Sequence, residues 1–436
     1  MKLNGNMATS AHYDVIVIGA GPAGSTAAAI LSECGRKVLI LEKQKFPRYS
    51  VGESLLPYCY YPLQRIGALE KVQQAAFVKK YSVQFASLEG QVSQPFYFFE
   101  HLKQEAAQTW QVWRSDFDQI LLDNAVEKGA MVMEETVAKR LLRRGERNVG
   151  VEVKASDGST RSFYAPITID CSGRDAFSVK RNGWLIRDPK LNKISIWTYY
   201  RGGLRDKGYD EGATTIAYLP EKGWFWYIPL RNDIVSVGIT AEANYLYREG
   251  KDIQKIFNRE VGVIRWISQH LEPAERIRDL RVTGEYSYRS RYCASDGLVL
   301  AGDAFAFLDP VFSSGVLLAL SSGEAVGAAV EEALHAGDFS ANRFKKYSTT
   351  LCDGIEAMRK LVYAFYDEAF SFGLIFQKYP DLRSDVTDCL IGNLFRNFER
   401  LFEAIGEFAE VPKELNYGGP AIHAGGLEDS RSKVSD

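Results

Sequence analysis

The most regular pattern of apolar and polar positions lies near the start of the chain, between residues 13 and 42. Residues 15–18 form a continuous apolar run, which is typical of a parallel strand buried on both faces. Residues 25–31 are rich in alanine and predict a helix, and residues 38–41 form a second apolar run. The order of strand, helix and strand predicts a βαβ unit that begins an α/β domain.

Further strands and helices are predicted along the rest of the chain. Residues 131–170 alternate between apolar and polar positions as strands, with a turn at Asp157 and Gly158. Residues 195–285 contain three strands separated by turns and a helix over residues 253–271, which together predict a second domain built on an antiparallel sheet. Residues 298–300 predict another buried strand, a helix follows from residue 316 to about residue 334, and the chain beyond residue 339 is mainly helical.

One short segment presents two lysines on opposite faces of a predicted strand. Alternation after Phe77 puts Lys80 on one face with two polar residues and puts Lys79 on the other face. A pair of lysines often marks a solvated strand end, so the polar face is either such an end or part of a site.

Composition and charge narrow the classes of protein that fit. The 436 residues suffice for two or three domains, and 46% apolar with 25% charged residues is ordinary for a globular protein. A net charge of −2 argues against nucleic acid or an anionic membrane as a partner. Residues 1–12 show no apolar segment of the kind found in secretory signals, and the apolar runs are too short to span a bilayer. The C-terminal tail is expected to be mobile.

Cysteine and histidine usage argues against disulfide and metal chemistry. The six cysteines lie far apart with no C-x-x-C pair, and the five histidines are equally scattered. We therefore expect reduced cysteines that serve packing, a cytoplasmic protein and no metal site.

A glycine turn connects the first predicted strand to the first helix. Residues 19–24 match G-x-G-x-x-G, in which Gly19 permits the tight turn, Gly21 lets a pyrophosphate approach the backbone, and Gly24 lets the helix pack closely. Glu42 ends the second strand, near the spacing at which a carboxylate binds ribose hydroxyls. The unit predicts a dinucleotide site, which NAD and FAD explain equally well.

Two distant segments add candidate cofactor contacts. Arg114 follows a strand that ends near Trp113 and opens a helix, where it either reaches a cofactor oxygen or lies on the surface. Gly302 and Asp303 end a buried strand, and ligands of open parallel sheets bind at such carboxyl ends. Residues 46–65 follow the acid-ended strand and either run beside the cofactor or form a loop with helix caps.

The glycine turn with its acid, the W-x-V-x-R-x-x-F-D segment and the G-D pair together resemble the FAD-binding fold of the aromatic-hydroxylase superfamily, over roughly residues 13–335. Within that superfamily the chain resembles the flavin-dependent halogenases of the phenol and pyrrole branch. Residues 224–229 match their W-x-W-x-I-P motif, residues 307–315 match F-x-x-P-x-x-S-x-G, and residues 77–82 resemble F-x-x-K-x-G.

The resemblance implies a site for FAD, used as FADH2, and for chloride or bromide. The cofactor-binding residues that it implies are Gly19, Gly21, Ala23, Gly24, Glu42, Lys43, Arg48, Ser54, Arg114, Gly302, Asp303, Pro310 and Gly315. It assigns Lys80 as the essential lysine, with Lys79 as the alternative, and counts Ser313 as a second catalytic residue. The halide is expected at Ser314 and Gly315, and the residues that shield the flavin or line the substrate pocket are Trp224, Trp226, Phe77 and Phe312.

The reaction implied by the resemblance is halogenation of an electron-rich aromatic ring. A separate flavin reductase supplies FADH2, O2 gives a flavin C4a-hydroperoxide, and halide attacks it to yield hypohalous acid that the lysine relays. The substrate is a phenol or a pyrrole, free or tethered to a carrier protein, in secondary metabolism. The pattern departs from the family at Ser82, where glycine is usual, and at Phe312, where tryptophan halogenases carry a glutamate.

Two other classes of protein share parts of this pattern. An FAD monooxygenase or a prenyl-reductase-like oxidoreductase would consume NAD(P)H by itself without halide, and a non-catalytic flavoprotein would bind FAD without turnover. The predicted architecture is α/β: a discontinuous Rossmann-like FAD-binding domain (residues 1–78, 106–180 and 286–335), an inserted antiparallel-sheet substrate domain (79–105 and 181–285) and a C-terminal helical region (336–436).

Overall fold

A computed structural model describes residues 11–422 of the chain. The expectations for residues 1–10 and for the C-terminal tail from residue 423 onward lie outside the described residues. None of the helices among residues 11–422 combines the length and the apolar character needed to span a bilayer.

The described residues form β-strands and α-helices that are interspersed along the chain. The strands are β1 (Ala11–His12), β2 (Val15–Ile18), β3 (Val38–Leu41), β4 (Val78–Lys80), β5 (Ser82–Ala86), β6 (Phe96–Tyr97), β7 (Thr109–Gln111), β8 (Met131–Met133), β9 (Val137–Arg144), β10 (Arg147–Lys154), β11 (Thr160–Tyr164), β12 (Ile167–Asp170), β13 (Leu185–Arg201), β14 (Thr214–Tyr218), β15 (Trp224–Leu230), β16 (Ile234–Glu242), β17 (Glu275–Arg276), β18 (Arg281–Ser290), β19 (Tyr292–Ser295), β20 (Leu298–Leu300), β21 (Ala306–Phe307) and β22 (Gly419–Pro420). The α-helices are α1 (Pro22–Glu33), α2 (Tyr60–Arg65), α3 (Leu69–Gln74), α4 (Phe98–His101), α5 (Arg114–Glu127), α6 (Phe177–Arg181), α7 (Ala243–Leu246), α8 (Ile253–Val263), α9 (Arg265–Leu271), α10 (Gly315–Ala336), α11 (Lys345–Tyr366), α12 (Phe372–Lys378), α13 (Arg383–Ile391) and α14 (Glu399–Ile405).

A seven-stranded sheet forms the base of the molecule, in the order β22-β19-β20-β12-β2-β3-β8. Strands β20, β12, β2, β3 and β8 run parallel, and β2 is the middle strand of these five, with β12 and β3 each paired to all four of its residues. The four residues of β2 and of β3 are all buried, as a continuous apolar run predicts for a parallel strand. The predicted Rossmann-like α/β fold is thus confirmed.

Helices α1 and α10 pack against each other beside this sheet, and α5 also packs on α1. Glycine makes the close approach possible, since a Cβ at Gly323 in α10 would lie 2.5 Å from the carbonyl oxygen of Ala23 in α1. Helix α1 begins shortly after the carboxyl end of β2, and α10 follows β20 and β21 in the chain. The amino termini of these two packed helices belong to the same side of the sheet as the carboxyl ends of its parallel strands.

A nine-stranded sheet forms the second layer, with the order β21-β18-β13-β16-β15-β14-β5-β6 and with β17 paired to β13. Neighbouring strands run antiparallel except β14 and β5, so the predicted antiparallel sheet is present. The expected domain boundary at residues 285/286 falls inside β18, which runs unbroken through residues 281–290. The chain passes from β20 of the first sheet into β21 of the second through residues 301–305, which places Asp303 between the sheets.

The predicted strand after Phe77 is divided, and the expectation of one continuous strand is wrong. Residues 78–80 form β4, which pairs with β7 in a separate two-stranded sheet, and residues 82–86 form β5 of the large sheet. The chain changes sheets at Tyr81 because β4 and β5 find different hydrogen-bonding partners. The helices beyond residue 339 join the same hydrophobic core as the parallel sheet, which makes the C-terminal region an integral part of the fold.

Candidate active site

A cavity of about 690 Å³ lies between the two sheets, at the carboxyl ends of β2, β3 and β12. The predicted site residues that line it are Gly19, Gly21, Ala23, Glu42, Lys43, Arg48, Ser54, Arg114, Trp224, Trp226, Asp303, Pro310, Ser313 and Gly315. The predicted residues that do not line it are Gly24, Phe77, Lys80, Gly302, Phe312 and Ser314. Its volume falls within the range of cofactor and ligand pockets in proteins.

The glycine turn forms one end of the cavity. Gly19 has a φ of +99°, and a side chain there would collide with the carbonyl oxygen of Cys171 at the end of β12. Helix α1 begins at Pro22 without a capping side chain, so its first turn presents the amide groups that bind a phosphate. Glu42 is buried, and its Oε2 accepts a hydrogen bond from the amide of Ala20 at 2.9 Å, which holds the carboxylate against the turn.

Two arginines extend the cationic lining from the glycine turn. The Arg48 guanidinium lies above Gly21, where an added Cβ would be 3.3 Å from its Nη2, and its Nη1 is 3.3 Å from Asp118 Oδ2. Arg114 is buried and makes two hydrogen bonds to Asp118, at 2.9 and 3.0 Å. The shared carboxylate neutralises part of the charge and fixes both guanidinium groups, so they can contact a pyrophosphate or ribityl oxygen without reorganising.

Asp303 also lines the cavity, and the preceding Gly302 lies against the start of α1, where an added Cβ would be 3.0 Å from the Cβ of Ala23. Burial raises the pKa of its carboxyl to about 6, and the nearby Arg174 and Arg114 oppose that rise. Tyr288 donates a hydrogen bond to the Asp303 carbonyl at 2.7 Å, which anchors the backbone of the turn. The cavity therefore offers helix amides and arginines for phosphates and acids for hydroxyl groups, which is the donor and acceptor set that fits FAD.

The loop between β21 and α10 contains the predicted halide residues. Asp309 is buried and accepts a hydrogen bond from the amide of Val311 at 3.0 Å, which starts a short helical turn. Ser313 then adopts the left-handed conformation at φ +56°, and α10 begins at Gly315 after Ser314 with no side-chain cap. The uncapped amides at this helix start are donors that suit a halide ion.

Trp224 and Trp226 project from the same face of β15 into the cavity, with ring centroids 5.8 Å apart. The Trp226 ring fits because Gly238, the residue of β16 that is paired with Trp226, has no side chain. An added Cβ at Gly238 would overlap the indole. The Trp226 N–H donates to Ser236 Oγ at 3.1 Å. The Trp224 N–H donates to the hydroxyl of Tyr366 in α11 at 2.8 Å, so a C-terminal helix holds the ring.

Lys80 lies behind Ser54 and does not itself line the cavity. Its side chain is 2% exposed, and its Nζ donates to Ser54 Oγ at 2.9 Å and to the carbonyl oxygen of Leu55 at 3.2 Å. Burial lowers the pKa of the Lys80 amine to about 7, and the ring of Phe98 lies 5.4 Å from its Nζ. Lys79, on the opposite face of β4, is exposed.

Sequence reasoning missed several residues that the fold brings to the cavity. Glu53 is buried beside Ser54, burial raises its pKa, and the Tyr199 hydroxyl donates to it at 2.6 Å. Tyr49 lies 3.0 Å from Tyr199 through their hydroxyl groups and accepts from the Trp197 N–H at 2.6 Å. Glu53, an acid between Gly52 and Ser54, was the one available signal, since strand patterning does not mark residues that come from β13.

Two further residues stand beside Ser54 and were not predicted. Thr214, the first residue of β14, lines the cavity with its Oγ1 2.8 Å from Ser54 Oγ. Gln111 in β7 donates through Nε2 to Thr214 Oγ1 at 2.8 Å. These contacts join three segments that are far apart in the chain, so no local motif could have revealed them.

Comparisons with known proteins agree with this geometry. A family model described as tryptophan halogenase matches residues 14–113 and 91–371. The 1H-pyrrole-2-carbonyl peptidyl-carrier protein chlorinase of Pseudomonas fluorescens is 30% identical over 435 residues, covering 92% of this chain and 95% of that protein. The corresponding brominase of Pseudoalteromonas luteoviolacea is 31% identical over 393 residues, covering 88% and 92%. The solved structure of the flavin-dependent brominase Bmp2 superposes with a TM-score of 0.83 at 30% identity, covering 91% of this chain and 99% of that one.

Proposed function

The chain belongs to the tryptophan halogenase family and is a flavin-dependent halogenase that uses FAD and a halide ion. Within this family we propose that it halogenates a pyrrole ring that is tethered through a carbonyl group to a carrier protein. Two relatives named for this substrate support the proposal, because each aligns with nearly nine-tenths or more of the chain. The resemblance also favours this branch over the tryptophan halogenases, which carry a glutamate where this chain has Phe312. Phe312 is buried and packs against Phe365 at 5.6 Å and Phe372 at 6.3 Å.

The observation that carries the proposed mechanism is the position of the Lys80 amine. It is buried, its pKa is lowered to about 7, and Ser54 joins it to the cavity by one hydrogen bond. An amine with this pKa is available near neutral pH both as a hydrogen-bond donor and as a nucleophile. In our proposal it receives hypohalous acid and delivers the halogen to the ring, as the ammonium or as a haloamine.

The other residues bind and separate the reactants. Reduced FAD with O2 supplies the two-electron oxidant that converts halide to hypohalous acid. The amides at Ser314 and Gly315 hold the halide at the start of α10. Trp224 and Trp226 line the cavity side by side, and in our proposal their rings would separate a bound flavin from the organic ring, so that the ring would not meet the oxidant directly. A separate flavin reductase provides the electrons.

The test is a reconstituted reaction followed by intact mass. The protein is supplied with FAD, NADH, an independent flavin reductase, O2, chloride or bromide, and a pyrrole-2-carbonyl group loaded on a carrier protein. We expect a mass increase of one or more halogens on the loaded carrier, and none without halide or without the reductase. NADH consumption by this protein alone, with an oxygenated product, would instead establish the monooxygenase alternative. Free phenol and free pyrrole-2-carboxylate serve as competing substrates that test whether the carrier is needed.

A further inference from the structure

Two hydroxyl groups, of Ser54 and Thr214, connect the Lys80 amine to the cavity. Lys80 Nζ donates to Ser54 Oγ at 2.9 Å, and Ser54 Oγ lies 2.8 Å from Thr214 Oγ1. Ser54 and Thr214 line the cavity, whereas Lys80 does not. A proton that passes between the lysine and the cavity along existing hydrogen bonds therefore crosses the Ser54 hydroxyl, which either meets the cavity itself or passes a proton on to Thr214.

The backbone holds each member of this chain in place. Ser54 forms an isolated bridge with Gln111, and the next amide, of Leu55, donates to the Trp110 carbonyl at 3.1 Å. Thr214 opens β14, where it is paired with Val83 of β5. All three side chains of the chain, Lys80, Ser54 and Thr214, are at most 4% exposed. Their contacts are consequently set by strand pairing rather than by flexible surface side chains.

Gln111 fixes the direction of the hydrogen bonds at the cavity end. Its Nε2 donates to the Gly212 carbonyl oxygen at 2.9 Å, and because a carbonyl can only accept, this bond fixes the amide orientation. The same Nε2 donates to Thr214 Oγ1 at 2.8 Å. Thr214 therefore keeps its own proton for either Ser54 or a group in the cavity.

A buried amine that changes its charge during turnover needs a path for the proton. Lys80 is enclosed by the Phe98 ring, Cys59 and the Leu55 carbonyl, and bulk water does not reach it. Burial raises the pKa of the Cys59 thiol to about 12, so this neighbour stays protonated and is a poor proton acceptor. The Ser54 hydroxyl is the neighbouring group that can both accept and donate.

We propose that Ser54 and Thr214 are positioning residues that form a two-hydroxyl proton relay between Lys80 and the cavity. This proposal rests on the proposed role of Lys80. In the outward step Lys80 gives a proton to Ser54 Oγ, Ser54 gives its own proton to Thr214 Oγ1, and Thr214 gives its proton to a water molecule in the cavity. The products are a neutral amine, two intact hydroxyls and a hydronium ion. The reverse step restores the ammonium.

The first test measures the protonation of Lys80 without turnover. The full-length protein is labelled with lysine carrying 13C at Cε, the Lys80 signal is assigned by its loss in K80M, and its shift is titrated with pH. In Ser54→Ala the ammonium loses an acceptor, so we expect the titration midpoint to fall by about one pH unit. In Ser54→Thr, which keeps the hydroxyl, the midpoint returns to the wild-type value.

The second test measures halogenation by the same variants. We expect Thr214→Val to lower kcat about tenfold or more, to flatten the pH dependence of kcat near neutrality and to leave KM for the aromatic substrate unchanged. Thr214→Ser should restore the rate. Thr215→Val is the matched control, because Thr215 is also buried in β14 but pairs with Gln84 away from the cavity. It should behave like the wild type.

Distinct results overturn the relay and the proposed function. If K80M abolishes product while Ser54→Ala and Thr214→Val retain wild-type kcat and titration, the relay is refuted and the lysine role stands. If K80M retains product, the proposed lysine role fails first. Equal losses in Thr214→Val and Thr215→Val, with equal losses of thermal stability, would refute a relay and assign both residues to packing.

Discussion

The indole N–H of Trp224 donates a 2.8 Å hydrogen bond to the hydroxyl of Tyr366, a residue 142 positions further along the chain. Tyr366 in turn donates to the buried Asp309 at 2.8 Å, so a single tyrosine of α11 links the shielding tryptophan to the loop that precedes α10. Burial raises the pKa of Asp309 to about 6, and the hydrogen bond from Tyr366 opposes that rise. The C-terminal helix thus holds together two parts of the site that are far apart in the chain, Trp224 in β15 and the loop that follows β21.

Removing this link should uncouple flavin oxidation from halogenation. Tyr366→Phe leaves Trp224 without its acceptor and leaves a buried carboxylate with one fewer donor, which we expect to cost about 1–3 kcal/mol of unfolding free energy. The freed indole shields less well, so product formed per FADH2 oxidised should fall several-fold, measured by mass against oxygen uptake. Tyr363→Phe is the control: Tyr363 lies one turn away and donates to Asp188 outside the cavity, so its loss should not change the ratio.

The two adjacent lysines should behave differently. Lys80→Ala should abolish halogenated product while FADH2 is still oxidised, because the amine that receives the oxidant is gone. Lys79→Ala should change the product yield less than twofold, since Lys79 is exposed on the opposite face of β4. Both variants are compared by product mass and by oxygen uptake; loss of product in Lys79→Ala alone would reverse the assignment.

The buried amine should also leave a signature in stability against pH. The folded pKa of Lys80, about 7, is below its ordinary value of 10.5, so between these values the unfolded chain binds more protons. As pH rises from about 7 to 10.5, this residue therefore increases the free energy of unfolding by up to about 1.4 kcal/mol per pH unit. Below pH 7 the folded protein carries the whole free-energy cost of burying the charged amine. Lys80→Met lacks the penalty, so its stability advantage in urea unfolding should be largest at pH 7 or below and should shrink toward pH 10.

Lys79→Met is the matched control for that titration, since the exposed amine carries no burial cost. Its difference from the wild type should not change with pH. A constant difference for Lys80→Met as well would contradict a buried amine with a lowered pKa.

A methyl group at Gly238 should disturb the shield directly. Gly238→Ala would overlap the Trp226 indole and the Cβ of Trp197, and overpacking of this kind costs about 1–3 kcal/mol. We expect lower stability in denaturant and a loss of halogenation. Gly262→Ala is the control, because an added Cβ at this helix position meets no atom within 4 Å. If Gly238→Ala gave the same product yield as the wild type and the control, the packing role of Gly238 would be contradicted.

Asp303 should matter for the cofactor more than for the fold. Asp303→Asn removes a carboxylate whose pKa is raised by burial, and we expect FAD affinity to fall about tenfold or more because a charged hydrogen-bond acceptor is lost. The raised pKa means that the wild-type carboxyl costs stability increasingly as pH rises from about 4 to 6, so the apo variant should unfold at an equal or higher temperature at pH 7. Flavin fluorescence quenching and thermal unfolding measure the two effects; unchanged affinity would count against Asp303 as a cofactor ligand.

Local patterns in the sequence predicted the parts of the site that depend on neighbouring residues. The apolar runs around the glycine turn identified the βαβ unit because a buried parallel strand and a tight turn each require particular residues at fixed spacing. The resemblance of residues 224–229 and 307–315 to halogenase motifs gave the family, which the comparisons confirm. The burial of Lys80 agrees with the choice of lysine that the resemblance implied. The alternation predicted along one continuous strand was wrong, since β4 and β5 belong to different sheets.

Tertiary structure alone decided how distant segments meet. Thr214 and Gln111 reach Ser54 through strand pairing, and Tyr366 reaches Trp224 through the packing of a C-terminal helix. Periodicity reports which face of an element is buried, but it does not report which other element covers that face. The chain by itself therefore determined the cofactor turn and the family motifs. The fold determined that Ser54 and Thr214 connect the Lys80 amine to the cavity, because these contacts depend on the register of three separate strand pairings.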